Sequence, residues 1–114
     1  MRAMEKELFD HLHKLLDQED YVSVRQLIEQ CLIDVKDIEP NKRLYKEAEL
    51  YGFLCDLGVE SGNETDLTRS IAFMESSESA LEPLLLKSSY YYSLANAKSS
   101  LAKIRMRKMP GVRL

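Results

Sequence analysis

Val24-Arg-Gln-Leu-Ile-Glu-Gln-Cys31 and Leu67-Thr-Arg-Ser-Ile-Ala-Phe-Met74 place apolar side chains at the same three points, 43 residues apart: Val24 with Leu67, Ile28 with Ile71, Cys31 with Met74. The register extends outward. Leu8, Leu12 and Leu15 align with Tyr51, Leu54 or Cys55, and Leu57, and again with Leu94, Ala97 and Leu101, with slips of at most one position, and Pro40 aligns with Pro83. Spacings of three and four residues are those of one helix face. A fixed long period marks stacked helical units, none of which buries its apolar face without a neighbour. The expected fold is all-α: about five helices in antiparallel helix-turn-helix repeats, an α-solenoid. Such arrays usually bind other proteins and rarely catalyse.

Five helices are expected. The first runs from Ala3 to Gln18, with Met4, Leu8, Leu12 and Leu15 inward. The second runs from Tyr21 to Ile38 behind an Asp20 N-cap, whose carboxylate accepts an orphan backbone N–H. The third spans Asn41 to Val59, with Leu44, Ala48, Tyr51 and Cys55 as its stripe. Ser61-Gly62-Asn63 is the clearest turn signal, and the fourth helix starts near Glu64. The run Glu75-Ser-Ser-Glu-Ser79 is polar, a composition that allows fraying. Pro83 suits the first turn of the fifth helix, where its missing N–H is no loss. That helix carries Tyr90, Leu94, Ala97, Leu101 and Ile104 toward the fourth and ends near Lys108. Residues 1–109 read as one helical-repeat domain and 110–114 as a tail.

Composition narrows the class. A chain of 114 residues with 45% apolar and 31% charged residues suits one globular helical domain. Four glycines and three prolines are too few for a barrel or sandwich built on many turns. Charges interrupt Met1-Arg-Ala-Met-Glu-Lys-Glu-Leu-Phe-Asp10 too often for a signal peptide. No apolar run approaches the ~20 residues of a membrane span, so the expected localisation is cytoplasmic, without membrane contact. Cys31 and Cys55 fall at apolar helical positions outside any metal spacing, and read as buried free thiols.

Charge is segregated. The first 82 residues hold all 19 acids and nine bases, a balance of −10, whereas residues 83–114 hold seven bases and no acid. The basic end comprises Lys87, Lys98, Lys103, Arg105, Arg107, Lys108 and Arg113. It suits an acidic partner, phosphates, or head-to-tail attraction between copies. Phosphate binding is the weaker reading, because no aromatic is interleaved from 98 to 108 and the acidic body repels nucleic acid.

Tyr91-Tyr-Ser-Leu-Ala-Asn-Ala97, with Leu101 beyond, resembles the first helix of a tetratricopeptide repeat. Ala95 stands at that family's small-residue position, as does Gly52 in Leu50-Tyr-Gly52. Glu19-Asp-Tyr-Val-Ser-Val-Arg-Gln-Leu-Ile28 resembles its turn and second helix, and Pro40 and Pro83 its closing proline. The period of 43 exceeds the family's ~34 and also suits HEAT-like pairs. The likeness implies about two and a half units and a partner-binding groove. It implies a close helix–helix approach at Gly52. It also implies a test against that family's grip on a peptide carboxylate by Asn and Lys or Arg. Asn96 fits that role, but Phe53 and Asp10, its equivalents one and two periods earlier, do not donate the needed hydrogen bonds. The clamp is therefore incomplete and the groove generic. The stretch Tyr91 to Leu101 is also similar to helical arms preceding ribonuclease-like domains in some bacterial proteins, which would make the chain part of a larger assembly.

No catalytic or cofactor pattern emerges. There is no Gly-rich phosphate loop, nucleophile elbow or metal box, so the chain is expected not to be an enzyme and to need no cofactor. His11 and His13 point to different helix faces. Glu47, Glu49, Asp17, Glu19 and Asp20 read as solvated faces and caps. The candidate partner-binding residues are Tyr91, Tyr92, Asn96, Lys98 and Arg105. Because the fifth helix lacks a mate, its flank with Tyr91, Tyr92 and Ala102 is expected to meet a partner's helix or, in a homodimer, a second copy.

Overall fold

The computed structural model describes the backbone of residues 2–81 and 87–108 and the side chains of residues 7–40, 42–78 and 91–108. Pro83, the tail 110–114 and the side chains of Met4, Lys87 and Tyr90 lie outside the described residues. Five α-helices follow one another: α1 Arg2–Asp17, α2 Tyr21–Asp34, α3 Pro40–Ser61, α4 Glu64–Leu81 and α5 Lys87–Lys108. No strand occurs among the described residues.

The α1–α2 and α3–α4 corners each turn on one left-handed residue, again 43 residues apart. After α1, Glu19 turns left-handed (φ 59°), and the N–H groups of Glu19 and Asp20 donate to the carbonyls of Leu16 and Leu15, both at 3.0 Å. This is the Schellman closure, which satisfies orphan carbonyls at a helix end. After α3, Gly62 takes the same conformation (φ 68°) and its N–H donates to the Gly58 carbonyl at 2.9 Å. The next residue caps the following helix in each case. Asp20 accepts from the Ser23 N–H at 3.3 Å, and Asn63 accepts from the Asp66 N–H at 2.9 Å.

One expected boundary is corrected. Helix α2 stops at Asp34, four residues short of Ile38, and a 3₁₀ turn spans Val35–Asp37. Pro40 disfavours helical backbone at the preceding residue, and Glu39 is extended (φ −49°, ψ 138°); Ile38 before it is extended as well (φ −90°, ψ 155°). Residues 75–79 do not fray but continue α4. Ser77 is buried there, and the Ser76 hydroxyl donates to the Phe73 carbonyl.

Helix α3 is the centre of the molecule. One flank carries Leu50, Phe53, Leu54 and Leu57 into a core with Leu12 and Leu16 of α1, Val24, Ile28 and Leu32 of α2, and Val35. The opposite flank carries Cys55, with Leu44, Tyr45 and Ala48 beside it, into a second core with Leu67, Ile71 and Met74 of α4 and Leu94, Ala97 and Leu101 of α5. Helix α5 packs on α3 as well as on α4. Tyr51 stacks on Phe73 of α4, centroids 4.3 Å apart.

Gly52 is not the close helix approach. A Cβ there meets nothing within 4 Å, and Ala95, one period later, is exposed. The close approach is at Gly58, where a Cβ would lie 2.8 Å from Leu67 Cγ and Cδ2 and 3.1 Å from the Leu67 backbone nitrogen. The register puts 52 and 95 on one helix face, but that face looks outward.

Candidate partner-binding surface

The five candidate residues on α5 divide into two sets. Tyr91, Lys98 and Arg105 face α4. The Tyr91 hydroxyl donates to Glu78, Lys98 Nζ lies 2.6 Å from Glu75, and Arg105 Nε lies 4.0 Å from Glu64. Lys108 Nζ reaches the same Glu64 at 2.7 Å. That hydrogen bond, then the charges of Lys108 and Arg105, hold the Glu64 carboxyl below the ordinary carboxylate range. All these groups are at least partly exposed, so each contact alone is weak. Together they pair the start of α4 with the end of α5 and so fix an antiparallel register.

Tyr92 and Asn96 face the other way. Tyr92 is 70% exposed, and Asn96, Ser99, Ala102 and Lys103 are exposed around it. Asn96 therefore lies at the surface, whereas Phe53 is buried against α1, with its ring 4.8 Å from that of His13 and 6.4 Å from that of Phe9. Positions 53 and 96 do not share one groove, so the family's arrangement of polar residues on successive first helices is not reproduced there.

A second open surface runs along α3, which sequence reasoning missed. Glu49, Asp56, Val59 and Glu60 are exposed, and Gly52 lies among them. The strip falls between the two buried flanks: Phe53 turns toward α1 on one side, and Tyr45 and Ala48 turn toward the α4–α5 core on the other. The Asp56 carboxyl is raised, first by desolvation and further by the Glu60 charge, with His13 opposing. The residue itself is solvent-exposed, so this desolvation is local. The missed signal was Gly52 itself, a helix-interior glycine with no packing role.

The remaining polar groups serve the fold. Asp66, with a 2% exposed side chain, accepts from Arg25 Nε at 2.9 Å and Nη2 at 2.7 Å, which ties α2 to α4. Arg69 and Glu29 make a second tie at 2.7 Å. Cys55 is fully buried, with its thiol 3.2 Å from Met74 Sδ, whereas Cys31 is only half-buried. Burial raises both thiols, Cys55 to about 11. His11 lines an open groove of about 380 Å³ between α1 and α2, with Leu15, Ser23 and Gln30. Among the described residues no group of three or more His, Cys, Asp or Glu is placed to hold a metal ion, and no helix is long and apolar enough to cross a membrane.

Comparison with protein-family models, with curated proteins and with solved structures found no match to this chain.

Proposed function

We propose that this chain is a helical-repeat adaptor that binds a protein or peptide segment across the open face of α3, as a non-catalytic cytoplasmic module. The observation that carries the reading is Gly52. A glycine inside a helix is about 1 kcal/mol less favourable than alanine. Nothing within 4 Å uses the space it leaves. A segment lying over Glu49, Gly52 and Asp56 would use it. The repeat reading, tetratricopeptide-like in its helix order, draws support from the paired corners at Glu19 and Gly62 and the paired caps at Asp20 and Asn63. Against a phosphate partner stands the engagement of Lys98, Arg105 and Lys108 with α4 glutamates.

The test compares capture from cytosolic extract by the native chain, by Gly52→Trp and by a control on the far side of α4, Thr68→Trp. Gly52→Trp fills open space, so it leaves the fold intact and abolishes capture of a protein that the control retains. Equal capture by all three, or capture lost on nuclease treatment, removes the proposal. Sedimentation at low and high ionic strength reports whether a second copy is the occupant, since charge-driven association weakens with salt.

A further inference from the structure

Helix α5 carries two seams. The inward one, Leu94, Ala97, Leu101 and Ile104, is packed against α3 and α4. On the opposite side Tyr92, Ala95, Ser99, Ala102 and Met106 are all exposed. Their steps alternate three and four residues, which are the a and d positions of a heptad and form one line along a helix. Tyr92 is 70% exposed and Met106 42%, so this line keeps a ring and a thioether in water. Its ends are alike: Tyr92 and Met106 each stand seven residues from Ser99, with small side chains between them. A face that reads the same from both ends fits a copy of itself turned end for end. Such self-complementarity is the requirement of a two-fold contact, and a different partner would not need it.

Charge sets the direction. Residues 87–108 hold six bases and no acid, five of them from Lys98 onward. Two such helices side by side and parallel would set these clusters against each other. Reversing one helix separates the clusters and lays each beside the other copy's N-terminal half of α5. Lys98, Arg105 and Lys108 are already paired with glutamates of α4, which leaves Lys103 and Arg107. With the two copies centred on Ser99, Lys103 falls at the level of the other copy's Ala95, and Arg107 at that of its Tyr91. Glu75 and Glu78 of α4 flank that end of α5 through their contacts with Lys98 and Tyr91. Glu49, one 43-residue period before Tyr92, is exposed on the equivalent turn of α3. Bases without an ion pair thus meet the acidic side of a second copy.

We propose that the outward face of α5 is a homodimer interface, in which two copies pack α5 on α5 antiparallel about a two-fold axis at Ser99. The small residues let the helix axes approach to about 8 Å. Each Tyr92 ring then covers the other copy's Met106, a favourable sulfur–aromatic contact. The proposal does not rest on the reading of the α3 face. The contact runs over about 21 Å of helix, less than a standard interface of ~1,600 Å² requires, so the dimer is weak, with a dissociation constant of about 10–100 μM.

Two measurements test it. Sedimentation of the native chain from about 10 μM to about 1 mM should show a monomer–dimer equilibrium. Ser99→Arg sets like charges face to face at the axis and should weaken that equilibrium about tenfold or more, with an unchanged circular dichroism spectrum because position 99 is exposed. Cross-linking then reads the geometry. In a Cys31→Ser background, where the remaining Cys55 is fully buried, Ser99→Cys should oxidise to a linked dimer far faster than Thr68→Cys on α4. A mixture of Tyr92→Cys and Met106→Cys chains should form the mixed linked dimer, and neither chain alone should match it. A strict monomer at the highest concentration overturns the proposal. So does a dimer indifferent to Ser99→Arg, equal oxidation at 99 and 68, or Tyr92→Cys linking to itself as readily as to Met106→Cys.

Discussion

Gly52→Ala and Gly58→Ala are the same chemical change six residues apart in one helix, and they should move stability in opposite directions. Both replace glycine inside α3, so both gain about 0.8–1 kcal/mol in helix propensity, part of it through a less flexible unfolded chain. At Gly52 nothing opposes the gain, because a Cβ meets no atom within 4 Å; the variant is more stable by about 0.5–1 kcal/mol. At Gly58 the new methyl lies 2.8 Å from Leu67 Cγ and Cδ2 and 3.1 Å from the Leu67 nitrogen. Leu67 has no room to yield. Its side chain is 0% exposed and its N–H is bonded to the Asn63 carbonyl at 3.2 Å. Relief requires moving the start of α4, together with the neighbouring Asp66 and its Arg25 contact. Overpacking of this kind costs about 1–3 kcal/mol, which leaves a net loss of up to about 2 kcal/mol. Urea denaturation followed by circular dichroism measures both. The unfolded-state contribution is common to the two variants, so their difference, about 2 kcal/mol, isolates native packing. At about 3–6 °C per kcal/mol for a chain of this length, their midpoints separate by about 6–12 °C. A Gly58→Ala protein as stable as Gly52→Ala would refute the α3–α4 approach and the assignment of Gly52 to an open face.

Three further outcomes follow from buried groups and strained turns. Arg25→Ala strands a carboxylate whose side chain is 2% exposed and should cost about 3–5 kcal/mol, whereas Asp66→Ala leaves an arginine already 29% exposed, which water resolvates, and should cost clearly less; equal losses in chemical denaturation would contradict the asymmetry. Glu19→Gly relieves a left-handed glutamate and should stabilise by about 1 kcal/mol, with an unchanged melting temperature counting against the corner geometry. The Cys55 thiol is raised from 9.0 to about 11 by burial, with the Ser70 hydrogen bond opposing and Asp56 adding to the rise, so its contribution is complete below pH 9 and is lost as pH climbs from 9 through about 11. The loss is roughly 2–3 kcal/mol, and Cys55→Ala should flatten that part of the stability–pH curve relative to the native chain.

Helix number and most core positions were legible because they depend on spacing alone: Leu12, Val24, Ile28, Leu67 and Leu94 all lie where a 3.6-residue period puts them. Leu16 was overlooked in favour of Leu15, since both fit the period within one position and only the angle between α1 and α2 decides which turns fully inward. Glycines mark a need for space without saying on which face. Gly52 aligned with Ala95 and looked like a packing contact, whereas Gly58, the actual contact, aligns with Leu101 and gave no sign. The left-handed Glu19 was equally hidden, because a glutamate carries no turn signal until its equivalence to Gly62 is noticed. The end of α2 was legible only in part: Pro40 bars helical backbone at Glu39, but the apolar pattern continuing to Ile38 gives no sign that the helix tightens into a 3₁₀ turn from Val35.

The charge segregation changes meaning once α4 and α5 are in contact. In sequence, an acidic body followed by a basic end suggests attraction between molecules. In the fold, Glu64 meets Lys108 and Arg105 at one end of the α4–α5 pair, and Glu75 and Glu78 meet Lys98 and Tyr91 at the other. Each contact is solvent-screened and contributes little alone. A shift of α5 by one turn would break all of them and set Lys98 and Arg105 against new neighbours, so their combined effect is on register rather than on total stability. Helix α5 also needs such guidance, because its exposed face is rich in small and polar residues and its apolar contact is narrow: Leu94, Ala97 and Leu101, with Ile104 at the edge. The basic charge that remains without an ion-pair partner among the described residues of this helix, Lys103 and Arg107, lies beyond Asn96 on the outward side. A partner reaching α5 therefore meets Tyr92, Asn96 and Lys103, while Tyr91, Lys98 and Arg105 hold the helix in place.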